Sequence, residues 1–428
     1  MNYTSKNYIQ KIINKNEFLS LISQNKNVFI EQGPAEPLAL IRSLINSSIK
    51  GLKLIVVPLP NINKIHFASS IYADRWEIYS FFSSKNLAKA SSDINVEYIP
   101  IHLSEIPKAL STKYKPDVAL VQVTPPNSAG FCSLGAAVEY NKTAAESSKI
   151  VVAQANRKMP FTCGDSCIHI SEIDYIIEED QDLIQIQPTL PDEVEKQIGD
   201  NVSSLIDDGS TIQVGIGRVP DAVMLALQNK CDLGIHSGIL TESMLNLIEA
   251  GVVTGIKKNI NTRKVVVGQL LGTDRLYEFS NCNPVIEVHP TTYTHNPLII
   301  GGLYKFVSIN SALEIDLTGQ INSEFIEGKQ ISSVGGQTDF ARIARLSPKG
   351  KSIIAMPSTS KKKSKVVPFL SKHAPVTTAR TDVDFVVTEY GIADLRFLSL
   401  RQRALKLIDI AHPDYRSELY RSFKKLSV

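Results

Sequence analysis

Short apolar runs separated by amphipathic stretches set the pattern of the first half of the chain. Val28–Ile30, Leu52–Leu59 (LKLIVVPL), Val96–Ile101, Val118–Thr124 (VALVQVT) and Lys149–Ala153 read as buried strands. Leu38–Ser47 and the stretch around Ser104–Leu110 read as helices between them. Strands alternating with helices predict a mostly parallel sheet covered on both faces. Glu178–Pro191 (EEDQDLIQIQPTLP) breaks this pattern, being acidic and punctuated by proline. Pro191-Asp192-Glu193 then has the proline and acids that suit a first helical turn. A boundary near residue 190 follows, with domains 1–190 and 191–428. The second half repeats the alternation at Thr211–Val214, Lys264–Gly268, Val307–Asn310, Ser352–Met356 and Phe385–Thr388, with a helix at Leu400–Ile410. An echo links DVALVQVTPPNSAGFCSLG with KFVSINSALEIDLTGQINSE. Each has an apolar strand, a small polar turn, a glycine and a second polar-tipped segment, the layout that two copies of one α/β unit or chance similarity would give.

Composition narrows the class. With 428 residues, 43% of them hydrophobic and 21% charged, the chain has material for two well-filled cores. A net charge of +3, spread along the chain, excludes the concentrated basic face of a nucleic-acid binder. The run Lys361-Lys362-Lys363 reads as a solvated loop. Five cysteines, an odd number, form no disulfide framework and fit a reducing cytoplasm. Cys163 and Cys167 lack a second Cys/His pair at zinc-site spacing, so no metal is expected. Met1 to Phe18 is polar and mixed in charge, and no window carries the roughly 18 apolar residues of a membrane span.

Four segments could carry chemistry. Gly215-Ile216-Gly217-Arg218-Val219-Pro220-Asp221 follows an apolar strand and precedes the helical pattern Ala222–Leu227. Outward amides at such a helix start attract phosphates, and Arg218 adds a charged donor. A tight turn with no ligand fits the same residues, since neither a third glycine nor a P-loop lysine is present. Gly335-Gly336-Gln337-Thr338-Asp339-Phe340 pairs exposed amides with an amide side chain; its plain reading is a glycine turn with Asp339 capping a helix. In His236-Ser237-Gly238 the His and Ser are adjacent and point to opposite faces of a strand, which argues against a catalytic triad. Glu36, in Gln32-Gly33-Pro34-Ala35-Glu36-Pro37, lies between a short strand and a helix and could be a helix-start interaction or an active-site carboxylate.

Taken in order, VALVQVTPPNSAGFCSLG, VGIGRVPDAV, LGIHSG, INSALEIDLTGQINSE, VGGQTDF, SIIAMPST, VTEYGIADLR and IAHPDYR resemble the acetyl-CoA hydrolase/transferase family, near the 4-hydroxybutyrate CoA-transferases and other class I CoA-transferases. The resemblance implies two tandem open α/β domains of the class I CoA-transferase type with an active site in the cleft between them. It places a coenzyme A thioester along Gly215, Ile216, Gly217, Arg218 and Val219, and along Gly335, Gly336 and Gln337. It implies acyl-CoA and a small carboxylate as substrates and a homodimer; the residues themselves point to no metal and a cytoplasmic location. In the family's transferases a glutamate attacks the thioester, forming an anhydride and then a glutamyl-CoA, with ping-pong kinetics. Backbone amides and an amide side chain would hold the oxyanion.

One position departs from the pattern. Family transferases read His-Ser-Glu where this chain reads His236-Ser237-Gly238. Glu36 or Glu242 then becomes the expected catalytic carboxylate, with Glu314 a weaker choice because a strand-end acid often holds a loop. Alternatively the space at Gly238 admits water and the chain is an acyl-CoA hydrolase, or it binds CoA esters without turnover. A sugar-phosphate isomerase or regulator on the same fold, and a carrier-dependent subunit of a larger assembly, are the readings from other classes. Gln122 and Asn310 stand at strand ends, where structural hydrogen bonding is the plainer role and a place in the acyl pocket the sharper one.

Overall fold

The computed structural model describes residues 8–22, 26–59, 62–63, 67, 72, 74–83 and 96–425; the first seven residues of the polar start lie outside them. The chain forms two compact units. Unit 1 is Met1–Ile186 with Val266–Thr294, and unit 2 is Gln187–Val265 with His295–Val428.

Among the described residues the main sheet of unit 1 has seven strands: β1 (Asn27–Ile30), β2 (Leu52–Val56), β3 (Trp76–Ser80), β4 (Val96–Tyr98), β5 (Val118–Val123), β6 (Ile150–Ala155) and β7 (Tyr175–Glu178). Their order across the sheet is β4-β3-β2-β1-β5-β6-β7, all parallel. β5 (VALVQV) is buried at every position, as a central strand covered on both faces must be. Helix α1 (Leu38–Asn46) buries Leu38, Ala39, Leu40, Ile41 and Leu44, and part of that face joins Phe18, Ile30, Leu54 and Trp76 in the core. The chain runs outward from β1 to β4, then returns to place β5 on β1's other side. Loops leaving adjacent strands at such a reversal diverge, and ligands bind at the carboxyl ends there.

Unit 2 repeats this plan with β8 (Thr211–Val214), β9 (Gly234–Ile235), β10 (Phe306–Asn310), β11 (Lys351–Ala355), β12 (Phe385–Thr388) and β13 (Gly391–Asp394). The order is β9-β8-β10-β11-β12-β13, and only β13 runs antiparallel to its neighbour. The reversal falls between β8 and β10. Its main helices are α2 (Glu193–Ser204), α3 (Arg218–Ala226), α4 (Glu242–Glu249), α5 (Gln337–Leu346) and α6 (Leu400–Asp409). The expected helix start near residue 191 is a capping box, in which Asp192 accepts from the Glu195 amide and Glu195 reaches back to the Asp192 amide. Pro191 precedes the cap, outside the first turn. Lys361 and Lys362 occupy a hairpin tip at φ 47° and 59°, the left-handed pair that a tight two-residue turn requires.

A single boundary near residue 190 differs from these units in one respect. The chain returns to unit 1 at Val266, and the strand expected at Lys264–Gly268 forms at Val265–Val267 outside the second large sheet. Long-range backbone pairing holds the return in place: Gln269 bridges Ala137, Pro290 bridges Glu139, and Glu287 pairs with Cys163. The echoed segments both lie at reversals, β5 beside β1 and β10 beside β8.

Candidate functional site

In unit 2, Gly215-Ile216-Gly217 leaves the carboxyl end of β8 and enters α3 at Arg218. Gly217 has φ 121°, a conformation only glycine holds without strain, and nothing stands where its Cβ would lie. The helix begins earlier than Ala222, and Pro220 is its third residue. Behind the turn, Gln213, Ser308 and Asn310 close a buried network. Ser308 Oγ donates to Gln213 Oε1 at 2.7 Å, and Asn310 Nδ2 donates to Ser308 Oγ at 2.9 Å. Asn310 is thus taken up in structural bonding, the plainer of its two readings. Arg218, expected as a phosphate donor, is half exposed and also paired within the chain. Its Nε donates to Glu195 Oε1 at 2.7 Å and its Nη2 to Asp192 Oδ2 at 3.3 Å, and the Glu195 bond raises its pKa. The guanidinium therefore ties α3 to the cap of α2.

Ser237 Oγ donates to the Val214 carbonyl at 3.3 Å, joining the second motif to the end of β8. The fully buried hydroxyl is thus spent on backbone. Gly238 is also buried. A Cβ there would meet His295 Cε1 at 3.4 Å and Phe340 at 3.8 Å. A Cβ there would therefore sit in ordinary van der Waals contact with the imidazole and the Phe340 ring.

His295 is the residue that sequence reasoning missed. It is 2% exposed, its ring lies 4.3 Å from that of Phe340, and burial lowers its pKa to about 3, leaving a neutral imidazole. Its Nε2 would lie 2.5 Å from a Cβ on Gly336. The third motif therefore reaches the second through His295: the ring fills the place of a Gly336 side chain and stands at contact distance from Gly238. Gly335 turns at φ 59°, Gly336 caps α5, and Asp339 stands in the first turn instead of at the cap. Gln337 Nε2 donates to Thr378 Oγ1 at 3.2 Å, which fixes the amide. Unit 2 thus gathers all three of its motifs around the end of β8.

The candidate carboxylates divide between the units. Glu36, in unit 1, is fully buried just before α1. Its Oε1 accepts from Gln32 Nε2 at 3.3 Å, and its carbonyl accepts from Gln122 at 3.2 Å and Gln181 at 2.6 Å. Gln122 Oε1 also accepts from Asn156 at 2.7 Å, so its amide is structural as well. Glu242, in unit 2, opens α4 and is 6% exposed. Glu314 pins a loop: it accepts from Asn322 Nδ2 at 2.9 Å, the Ser371 amide at 2.8 Å and Ser371 Oγ at 2.7 Å.

Further buried acids appear in unit 1. Glu31 accepts from the Gln122 amide at 2.5 Å and from Asn141 Nδ2 at 3.1 Å, and burial raises its pKa well above the carboxylate range. Burial alone raises Glu139 to about 8. Glu31 carries a sequence signal, an acid directly after the apolar run of β1. Among the described residues no group of three or more His, Cys, Asp or Glu could hold a metal, and no helix is long and apolar enough to cross a membrane.

Comparison with known proteins places the chain in a family. The acetyl-CoA hydrolase/transferase N-terminal domain matches residues 1–188 and the C-terminal domain of the same family matches residues 272–423. A 4-hydroxybutyrate coenzyme A transferase of Clostridium kluyveri is 42% identical over 98% of both chains. The crystal structure of RipA from Yersinia pestis superposes with TM-score 0.93 at 32% identity over 99% of both chains. A 4-hydroxybutyrate CoA-transferase from Porphyromonas gingivalis gives TM-score 0.82 at 37% identity, over 98% of this chain and 99% of that one. This chain belongs to the acetyl-CoA hydrolase/transferase family.

Proposed function

We propose that the protein is an acyl-CoA:carboxylate CoA-transferase for small carboxylic acids, with the thioester carried on Gly215–Val219 and Gly335–Gln337. The observation that carries this reading is the convergence of both glycine turns, through Ser237, Gly238 and His295, on the end of β8, where the strand order of unit 2 reverses. The open backbone at Gly217 suits the phosphate oxygens of such a ligand, and the amide at the Gly336 cap of α5 suits its carbonyl oxygen. Arg218, half exposed and tied to Glu195 and Asp192, holds α3 and keeps a guanidinium charge beside the turn.

The chemistry requires a carboxylate that attacks the thioester carbonyl and expels CoA thiolate. The thiolate then adds to the enzyme's acyl carbon, releasing the first acid and leaving an enzyme-bound CoA ester for the second acid to collect. Gly238 cannot perform this attack. Glu36 and Glu242 are the carboxylates assigned to it, Glu36 first, because its full burial and bonded carbonyl fix its position. A second reading, hydrolysis, is favoured by one observation: beside Gly238 stands a neutral imidazole in place of a carboxylate.

Purified protein with acetyl-CoA, with and without a panel of acids, separates the readings. Exchanged CoA esters that appear only with an acid support transfer, and free CoA released without an acid supports hydrolysis. Neither product, over a concentration range that spans CoA binding, would refute both. Dimer formation, proposed from the same resemblance, is checked by sedimentation.

A further inference from the structure

Lys365, in unit 2, is a half-buried cation that the chemistry above leaves unused. It follows the hairpin that carries Lys361 and Lys362 at its tip, and it precedes the short strand Val366–Val367. Backbone bonds fix its place. The Lys365 amide donates to the Ser358 carbonyl at 2.8 Å, and the Lys365 carbonyl accepts from the Ile315 amide at 2.8 Å. Ser358 is the third residue after β11. Its amide and Oγ donate to Glu389, the residue directly after β12, at 2.8 and 2.5 Å. Lys365 therefore stands at the carboxyl edge of the large sheet of unit 2. Because β8, β10, β11 and β12 run parallel, Gly215 leaves that same edge. With neighbouring strands about 4.8 Å apart, the ends of β8 and β11 are on the order of 10 Å from each other.

The amine has no acid of its own. Among the described residues its Nζ makes no hydrogen bond or ion pair, and the charge that acts on it is that of Glu389. Both oxygens of Glu389 are held by Ser358. The strand Glu314–Asp316 pairs with Val366–Val367, and its two acids are engaged as well: Glu314 by Asn322 and Ser371, Asp316 by Thr318 and Gln320. Lys363, two residues earlier, pairs with Glu327 at 3.3 Å. Burial without a paired acid disfavours the ammonium form, and the Lys365 pKa falls from 10.5 to about 8. About one such amine in ten is neutral at pH 7, against about one in three thousand for an ordinary lysine. A neutral, desolvated lysine amine attacks carbonyl carbon.

We propose that Lys365 is an acyl-acceptor site, which takes the acyl group of acyl-CoA as a stable amide. The neutral Nζ attacks the thioester carbonyl carbon and a C–N bond forms. The C–S bond breaks with its electron pair on the CoA sulfur, and the surplus proton on nitrogen passes to that thiolate. The products are acyl-lysine and CoA thiol, with no further reactant. Delivery of the thioester to this edge rests on the CoA-transferase reading, and the experiment keeps the two apart.

The full chain is incubated with acetyl-CoA over a range of pH and of acetyl-CoA concentration. Acetylation at Lys361, Lys362 and Lys365 is quantified by mass spectrometry after digestion at acidic residues. The exposed tip lysines serve as controls a few residues away. At pH 7 Lys365 is expected to gain acetyl at least about tenfold faster than either, and its rate to level off above about pH 8 while theirs keeps rising. Lys365→Arg should lose that adduct and keep the other two.

No adduct on Lys365, or one that forms at the rate of the tip lysines, would overturn the proposal. Thermal unfolding with CoA is read alongside. If CoA raises Tm and Lys365 stays unmodified, the acceptor site falls and the transferase reading stands. If Lys365 is acetylated at a rate linear in acetyl-CoA and CoA leaves Tm unchanged, the acceptor site stands and the transferase reading falls.

Discussion

The two units share a sheet plan but equip its reversal differently. In unit 2 the end of β8 is lined by glycine, and the polar side chains nearby are spent: Gln213, Ser308 and Asn310 on one another, Arg218 on Asp192 and Glu195. In unit 1 the ends of β1 and β5 carry buried acids and amides bonded to one another, Glu31 with Gln122 and Glu36 with Gln32, while Gln32 Oε1 is buried without a partner. Unit 2 therefore offers backbone to a ligand and unit 1 offers side chains. A backbone surface suits an invariant part such as a nucleotide-linked thiol, whereas side chains suit the part that varies between substrates.

The sharpest way to break this division is chemical. Glu36→Gln is expected to lower kcat at least about a thousandfold while CoA still raises Tm, read by ester exchange and thermal unfolding. If Glu36→Gln keeps its rate and Glu242→Gln loses it, the reacting group moves to unit 2 and the division fails.

Next in size is the packing of unit 2. Gly336→Ala forces a Cβ against His295 and is expected to cost about 1–3 kcal/mol. For a chain of this size that is a Tm loss of several degrees, at ~2–4 °C per kcal/mol. Adding His295→Ala should cost less than the sum of the two single losses in Tm, because the two changes share one contact; strictly additive losses in a double-mutant cycle would disprove that contact.

The units should also respond to opposite ends of the pH scale. Glu139 keeps its proton when folded up to about pH 8 but loses it when unfolded near the ordinary value of 4.5. The unfolded chain thus holds fewer protons between those values, and stability falls as pH rises through them. Glu139→Gln is expected to flatten this alkaline loss, worth on the order of a few kcal/mol at most, in urea midpoints at pH 5 and pH 9. Glu31, raised by the same cause, adds in the same direction. His295 acts oppositely. Its folded pKa is about 3 against 6.5, so its contribution is intact above 6.5 and is lost as pH falls toward 3. His295→Phe should flatten that acid limb; a variant with the wild-type slope would show that the ring titrates normally.

Legibility in the sequence followed the range of the interactions. Thr211–Val214 and Phe385–Thr388 form with the expected bounds, and the helix expected over Leu400–Ile410 ends one residue earlier, because apolar runs and local caps such as Ser399 carry that information. Trp76–Ser80 was missed: it alternates apolar and polar residues like an exposed strand, yet lies within a parallel sheet beside β2. The return of Val266–Thr294 to unit 1 is set by pairing with residues more than a hundred positions away, which no local pattern encodes. The glycine turns were legible because glycine and proline punctuate the chain. Glu139 and His295 were not, since a polar residue announces its burial only once the fold surrounds it.

The most direct test is a crystal structure of the protein with acetyl-CoA. The account predicts the pantetheine and phosphates against Gly215–Val219 and Gly335–Gln337, with the thioester carbonyl within reach of the Gly336 amide. Acetyl-CoA bound elsewhere, with both turns bare, would contradict it.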